Sequence, residues 1–308
     1  MEAVQFTIVG LGESLFDIFA DRQVLGGAPL NVALHAQQLG APRGGAGVVV
    51  SRVGQDVLGR RVEEELRQRG VSCDYLQSDP DRDTGRVYVS FDAAGQPDYD
   101  IVQDAAWEWL QFDPDLEDQA RRCEAVCFGS LAQRNSQARN TIYRFLDAAN
   151  KRAVRMFDVN LRQNYYDRGI LRRSMQFANV AKLNDEELPI IAAQLGAGSA
   201  SDDADSRVGL LIRQFDLSVL VLTRGEAGTV LYTATEKHDG EPVHYEPAQD
   251  ADPVGAGDAC AAAILLGMVL RWPMDRILNL ANHAGAFVAS QPGATPTLPQ
   301  AILDMTKG

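Results

Sequence analysis

Apolar runs alternate along the chain with segments in which apolar residues recur at the spacing of one helix face. Six of the runs are predicted to be buried strands: residues 4–11, 47–51, 125–128, 153–158, 180–183 and 219–222. Helices are predicted between them, at residues 29–39, 58–69, 136–150, 169–178, 185–195 and 206–215. This alternation is typical of a mostly parallel sheet covered by helices, so the predicted fold class is α/β.

The pattern changes in the last third of the chain. Strand-like runs at 229–232 and 243–245 follow the strand at 217–223 without a helical segment between them, which predicts an antiparallel edge. Two helices, at 257–270 and 274–290, are predicted to follow.

A second region also departs from the alternation. Two strand-like runs, 84–92 and 98–102, are joined by residues 93–97, whose Gly95 and Pro97 indicate a hairpin turn. Together with 15–20, these runs predict a small β-sheet that projects beside a cleft, as a lid does. We therefore expect one domain over residues 1–308, with a lid formed by about 13–22 and 84–106.

Charge and composition exclude several classes of protein. The chain has 29 Lys and Arg residues against 42 Asp and Glu residues, a net charge of −13, so it lacks the basic surface that nucleic-acid binding requires. Its longest uncharged apolar run, the 12 residues between Asp258 and Arg271, is too short to span a membrane. No signal peptide and no CxxC pair is visible, which predicts a cytoplasmic protein.

One segment has the properties of an anion site. The usual phosphate-binding fingerprints are absent, but Gly255-Ala256-Gly257 stands directly before a helix of small residues. Glycines let backbone N–H groups approach an anion, and the start of a helix adds unpaired donors and a positive dipole end. The three residues therefore predict a pocket for phosphate.

Asp258 follows the glycines and has two interpretations. A carboxylate at a helix start can simply cap the helix. Beside an anion pocket, it can instead accept a proton from a hydroxyl group that attacks a phosphoryl group. The glycine pair favours the second interpretation, since a bare cap has no use for it.

Five segments spread over the chain carry short motifs: 26–33 (GGAPLNVA), 157–162 (FDVNLR), 184–187 (NDEE), 223–228 (TRGEAG) and 252–259 (DPVGAGDA). In this order they resemble the motifs of the ribokinase-like (PfkB) family of sugar kinases. The resemblance covers essentially the whole chain. It implies a ribokinase-like three-layer α/β/α core, with a mostly parallel sheet and a small β-sheet lid.

The resemblance also implies an activity and its catalytic residues. An ATP-dependent kinase of this family would phosphorylate a sugar hydroxyl, with Asp258 as the base and the backbone N–H groups of Gly255, Ala256 and Gly257 facing the transferred phosphoryl group. Asn184 and Glu187 would position Mg²⁺ through water, although Asn184 is also a good helix cap.

Further residues are assigned to the ligands by the same resemblance. Asp252 is a candidate ligand of a monovalent cation such as K⁺. The predicted nucleotide contacts are Asn184, Glu187, Thr223, Arg224, Gly225, Gly228, Gly257 and Asn282. The predicted sugar contacts are Asp17, Gly27, Asn31, Arg86, Tyr88, Tyr99, Asn160, Arg162 and Asp258.

The sugar itself is the open question. Within the family, the segments at 12–13, 97–101 and 158–162 are most similar to those of fructokinases. A 2-keto-3-deoxygluconate kinase is the main alternative, because Arg86 or Arg162 could pair with the carboxylate of that substrate. Ribokinase, nucleoside kinase and a non-catalytic sugar-binding protein of the same fold are further alternatives. We expect sugar and ATP as the small-molecule partners, and a homodimer formed through the lid.

Overall fold

A nine-stranded sheet forms the centre of the molecule in a computed structural model, which describes residues 4–91, 97–199 and 201–307. Side by side, its strands are β13 (Lys237–Asp239), β12 (Thr229–Tyr232), β11 (Val219–Thr223), β10 (Val180–Asn184), β9 (Val154–Asp158), β8 (Ala125–Phe128), β1 (Phe6–Leu11), β4 (Gly45–Gly54) and β5 (Leu76–Asp79). In this spatial order, the seven strands from β11 across to β5 pair in parallel, whereas β12 and β13 form an antiparallel edge. The predicted mostly parallel sheet is confirmed.

Helices cover both faces of this sheet. One face carries α1 (Ala28–Gly40), α8 (Ala256–Val269), α9 (Met274–Ala289) and α10 (Gln300–Asp304). The other carries α3 (Pro114–Arg122), α4 (Ser136–Ala148), α5 (Arg168–Phe177), α6 (Glu187–Leu195) and α7 (Ala204–Phe215). A further helix, α2 (Val57–Gln68), packs beside α1. The layers are therefore α/β/α.

The strands are apolar on both sides because both of their faces are buried. In β1, Ile8 joins the core beneath α1 and α8, while its neighbour Val9 joins the core on the opposite face. Strands of a parallel sheet read as continuous apolar runs for this reason, and this is why they could be located in the sequence.

Aspartate side chains begin four of the helices. Asp56, Asp113, Asp167 and Asp203 each accept a hydrogen bond from a backbone N–H in the first helical turn, at 2.7 to 2.9 Å. These caps satisfy donors that a helix start leaves unpaired. The cap at Asp113, followed by Pro114, begins α3, a helix that the apolar pattern did not predict.

A separate four-stranded sheet stands beside one end of the large sheet. Its order is β3 (Gln23–Gly26), β2 (Leu15–Ile18), β6 (Gly85–Phe91) and β7 (Pro97–Ile101), with β2 and β6 parallel and the other pairs antiparallel. Phe16 and Leu25 bury one of its faces against α1 and α2. The small sheet was predicted, although β3 was missed. Of the predicted turn at 93–97, residues 93–96 lie outside the described residues and Pro97 begins β7.

A buried arginine ties this small sheet to the body of the protein. The guanidinium of Arg134 donates to the carbonyl of Val102 at 2.5 Å and to Glu108 Oε1 at 2.7 Å. It also lies over the rings of Trp107 and Tyr165, 4.6 and 4.7 Å from their centroids. The segment that leaves β7 is thereby held in place.

The predicted strand at 243–245 is wrong. This segment has no regular structure, because Pro242 and Pro247 flank it and cannot donate to a sheet. The Tyr245 hydroxyl instead bonds the ring of His283 on α9, at 2.8 Å.

The short elements β3, β5, β13 and α10 were not predicted. Among the helices of the described residues, none combines the length and the apolar character needed to cross a bilayer.

Candidate active site

A cavity of about 1150 Å³ opens where the parallel strands end at their carboxyl edge. The small sheet forms one wall, and the starts of α1 and α8 form the floor. Ligands bind at this edge in open α/β sheets because helix starts and strand ends converge there. Most of the predicted site residues line the cavity: Asp17, Gly27, Asn31, Tyr99, Asn160, Arg162, Asn184, Glu187, Thr223, Gly225, Gly228, Gly255, Ala256, Gly257, Asp258 and Asn282.

The start of α8 combines a conformation that requires glycine with unpaired backbone N–H groups. Gly255 adopts φ 82°, and a Cβ at this position would lie 2.1 Å from the carbonyl oxygen of Ala294, so only glycine fits. The N–H of Ala256 donates to Pro253 O at 3.2 Å. Within the described chain, the N–H groups of Gly255 and Gly257 have no acceptor. Two of the three predicted donors are therefore free for an anion.

Asp258 lies in the first turn of α8 and is almost completely buried. Its Oδ2 accepts a hydrogen bond of 2.8 Å from Asn31 Nδ2, which reaches it from the first turn of α1. Burial raises the pKa of Asp258 to about 6, and the charge of Asp158 adds to the rise. The hydrogen bond from Asn31 and the charges of Lys182 and Arg162 act in the opposite direction. The carboxyl can therefore gain and lose a proton near neutral pH.

A buried ion pair lies next to this carboxyl. Lys182 Nζ, on β10, contacts both carboxylate oxygens of Asp158, at 2.9 and 3.0 Å. A Cβ placed on Gly257 would lie 3.4 Å from the same Nζ, so the ammonium group also adjoins the glycine-lined start of α8. Desolvation works against the charged form of Lys182, but the charge of Asp158 holds its pKa above the usual range.

Two more carboxyl groups face the cavity, from Glu13 just before the small sheet and from Asp17 in strand β2. Burial raises the pKa of Glu13 to about 7 and that of Asp17 to about 6, and the charge of Arg162 lowers both. Glu13 Oε2 and Asn31 Oδ1 are buried, and the described part of the chain supplies neither of them with a hydrogen-bond partner. Unpartnered buried acceptors are rare, and the hydroxyl groups of a bound ligand could satisfy them.

Asn184 and Glu187 form a reciprocal cap at the start of α6. Asn184 Oδ1 accepts from the N–H of Glu187 at 2.8 Å, and Glu187 Oε2 accepts from the N–H of Asn184 at 2.9 Å. Glu187 Oε1 accepts from the N–H of Leu161 at 2.7 Å. The capping role is present, and both side chains also line the cavity.

The far end of the cavity is lined by turns and small residues. Thr223 ends β11, and Gly225 and Gly228 follow with φ 54° and 81°. Asn282 Nδ2 donates to the carbonyl of Glu241 at 2.8 Å and thereby fixes the segment before residues 243–245. This end can accept a flat group such as a nucleobase.

Four predicted site residues do not line the cavity. Arg86 points away from it and pairs with Asp83 and Asp56, because alternate residues of β6 face opposite sides of the small sheet. Tyr88, on that same outer side, is exposed. The guanidinium of Arg224 pairs with Asp239 at 2.5 Å.

Asp252 is the fourth residue outside the cavity. Its two carboxylate oxygens accept from the N–H groups of Val254 and Gly293, at 3.0 and 3.2 Å. The side chain thus ties the loop before Gly255 to the loop after α9. Within residues 4–91, 97–199 and 201–307, no three acidic, His or Cys side chains cluster as a ready metal site.

The cavity residues missing from the predicted site include three buried charged side chains: Glu13, Asp158 and Lys182. Lys182 was the most detectable, since it is the one charged residue of β10. Nine acidic side chains of the described chain line the cavity, against the basic side chains Lys182 and Arg162. An anionic ligand would therefore need cations brought with it. The arrangement combines a proton acceptor, free N–H donors and a buried cation.

Known proteins of similar sequence and structure were compared with this chain. The sequence profile described as "pfkB family carbohydrate kinase" matches residues 10–301. The chain is 30% identical to a fructokinase of Klebsiella pneumoniae, over 94% of this chain and 95% of that protein. A fructokinase of Xylella fastidiosa with bound ATP has a TM-score of 0.82 at 23% identity, covering 98% of each chain. A double-mutant fructokinase of Vibrio cholerae O395, with fructose, ADP and potassium ion bound, has a TM-score of 0.78 at 24% identity, over 99% of this chain and 98% of that one.

The raised pKa of Asp258 has a consequence for stability. A carboxyl whose pKa is higher in the folded state than its usual 3.8 stabilises the fold while it is protonated, and this contribution is lost as the pH rises through about 6. We predict that Asp258→Asn, which stays neutral, gains about 2 kcal/mol of unfolding free energy relative to wild type between pH 4.5 and 8. Urea unfolding at both pH values measures this change, and Asp147→Asn, at an exposed position of α4, is the control. If the unfolding free energy of Asp258→Asn differs from that of the wild type by the same amount at pH 4.5 and pH 8, the prediction is wrong.

Proposed function

Because the chain belongs to the PfkB family of carbohydrate kinases, as its motifs predict, we propose that it transfers the γ-phosphoryl group of ATP to a hydroxymethyl group of D-fructose. The observation that carries the proposal is the position of Asp258, a buried carboxyl in the first turn of a helix whose start has free N–H groups. Relatives that are named fructokinases support the choice of sugar.

The reaction needs a base and a place for negative charge. Asp258 accepts the proton of the sugar hydroxyl, whose oxygen forms a bond to the γ-phosphorus while the bond from that phosphorus to the bridging oxygen of ADP breaks. The N–H groups of Gly255 and Gly257 and the ammonium group of Lys182 face the transferred group and stabilise its charge. Asn31 holds the carboxylate oriented toward the sugar.

The sugar binds on the side of the cavity formed by the small sheet. Asp17, Asn31 and Asn160 supply hydrogen-bond partners. Gly27 lets the start of α1 pack against the backbone of Glu13, since a Cβ there would lie 2.4 Å from the carbonyl oxygen of Glu13. The small sheet acts as a lid that closes over the sugar and excludes water. Its exposed outer side, which carries Tyr88, pairs with a second copy to form a homodimer.

The nucleotide binds along Thr223, Gly225, Gly228 and Asn282. Magnesium fits the site, because Glu187 and Asp158 supply carboxylates in an acidic cavity and Mg²⁺ commonly keeps its waters between itself and such groups. When bound, the ion neutralises the phosphate charges of ATP. Asp252 lies outside the cavity. It would support a monovalent cation indirectly, because it holds the loop before Gly255 in place.

A 2-keto-3-deoxygluconate kinase is the second candidate, because Arg162 lines the cavity and is exposed to it. Its guanidinium could pair with a substrate carboxylate. Arg86, the other arginine considered for this role, is already paired outside the cavity.

The kinase mechanism predicts a large effect at one position. Asp258→Asn should lower turnover at least about 10²-fold, because the positioned base is lost while the fold and ATP binding remain. ADP release with ATP, Mg²⁺ and a panel of sugars measures the rate, and Asp147→Asn serves as the control. Turnover of the variant near the parental rate would show that Asp258 is not the base, and a wild type that binds sugars without ADP release would indicate a non-catalytic binding protein.

The substrate is tested by two variants assayed on two substrates. For a fructokinase, Asp17→Ala should cost about 1.5–3 kcal/mol in kcat/KM, because a charged acceptor of sugar hydroxyls is lost, whereas Arg162→Gln should have a modest effect. For a keto-acid kinase the ranking inverts. Measurements on D-fructose and 2-keto-3-deoxygluconate decide between them; a wild type that prefers the acid, with Arg162→Gln the more damaging change, would contradict fructose as the substrate.

A further inference from the structure

Glu13 occupies an unusual place in the fold. The chain leaves the large sheet at the end of β1 and enters the small sheet at Leu15, so Glu13 stands in the short crossing between the two sheets. Its backbone is fixed on both sides. The N–H of Gly12 donates to Val50 O at 3.0 Å, and the carbonyl of Glu13 packs against Gly27 too closely for any side chain there.

The side chain of Glu13 is buried without being paired. It is 3% exposed and lines the cavity, and its Oε2 has no hydrogen-bond partner within residues 4–91, 97–199 and 201–307. Glutamate is almost never this buried unless another group satisfies it. The backbone N–H groups of Glu13 and Ala28 lower the pKa of this carboxyl, but its Oε2 has no hydrogen-bond partner among the described residues.

The groups around Glu13 define what could satisfy it. Arg162 faces it from the loop after β9, Asp258 from α8 and Cys127 from β8. Arg162 forms no ion pair with Glu13 within the 4.0 Å limit of an ion pair, and its Nη1 donates to Leu161 O. Asn31, which lines the same cavity, holds a second buried acceptor, Oδ1, for which the described residues supply no donor. Two buried acceptors without donors in one cavity fit a ligand with several hydroxyl groups.

We propose that Glu13 is a further sugar-binding residue, whose Oε2 accepts a hydrogen bond from one hydroxyl of the sugar beside the hydroxyl that Asp258 deprotonates. This inference rests on the proposed sugar kinase activity. It assigns Glu13 a part in sugar selection, because a sugar that lacks the matching hydroxyl leaves a buried carboxylate oxygen unsatisfied.

The proposal predicts how the affinity for the sugar changes with pH. Burial and the charge of Asp258 raise the pKa of Glu13 to about 7, so its carboxyl loses its proton between pH 6 and 8. The ionised form accepts the stronger, charge-assisted hydrogen bond. Sugar binding should therefore tighten as the pH rises through about 7, and it should release protons at neutral pH.

The test is a double-mutant cycle with monodeoxy derivatives of the sugar that the wild type phosphorylates. In the wild type, removal of the matching hydroxyl should weaken binding at least about tenfold, the scale of a hydrogen bond to a charged group. In Glu13→Gln, the same removal should cost less than about threefold, while the penalties for the other hydroxyls stay as in the wild type. Titration calorimetry gives the dissociation constants, and Glu64→Gln, an exposed glutamate of α2, is the matched control.

Two further readouts separate sugar binding from a structural role. The affinity for the sugar should vary less between pH 6 and 8 in Glu13→Gln than in the wild type, and the variation that remains comes from Asp17 and Asp258, whose pKa values are raised to about 6. Calorimetry of the wild type in two buffers of different ionisation enthalpy should show more proton release with the parent sugar than with the deoxy derivative. The proposal would be overturned if removal of each hydroxyl weakened binding by the same factor in Glu13→Gln as in the wild type. Equal proton release with the parent sugar and the deoxy derivative would also overturn it. Absence of turnover with every sugar in the wild type would instead remove the proposed function on which it rests.

Discussion

The burial of the Asp258 carboxyl at the start of α8 is the constraint on which the site depends. A carboxylate in this position is destabilised by desolvation and by the neighbouring charge of Asp158, and it is held by one hydrogen bond from Asn31. The starts of α1 and α8 must therefore meet at a fixed distance. Gly255, which leaves no room for a side chain against Ala294, sets this arrangement on the α8 side.

The same constraint explains the charge distribution around the site. Lys182 is buried with Asp158, and together they bring a cation beside Gly257 without adding net charge. A buried ion pair contributes little to stability because its desolvation is costly, so its place in the cavity points to a role toward a ligand. An acidic cavity that must receive ATP also accounts for the dependence on metal cations that the proposed function includes.

The large features could be predicted because they repeat along the chain or lie in short motifs. Buried strands such as β1 are continuous apolar runs, and Asn31 and Asp258 stand in motifs near opposite ends of the sequence, although only the fold shows their contact. The side-chain partners of individual residues were not predictable. Whether Arg86 faces the cavity depends on which side of β6 it occupies, and the free oxygen of Glu13 depends on neighbours from three other elements.

The most direct test of the account is the pH dependence of kcat at saturating sugar and ATP. Saturation removes the effects of Glu13 and Asp17 on binding, so the profile reports the base in the ternary complex. We predict that kcat is level above neutral pH and falls about tenfold for each pH unit below the pKa of Asp258, which lies at about 6 in the free protein. A kcat that stays unchanged from pH 8 to 5 would contradict the assignment of a buried carboxyl as the proton acceptor.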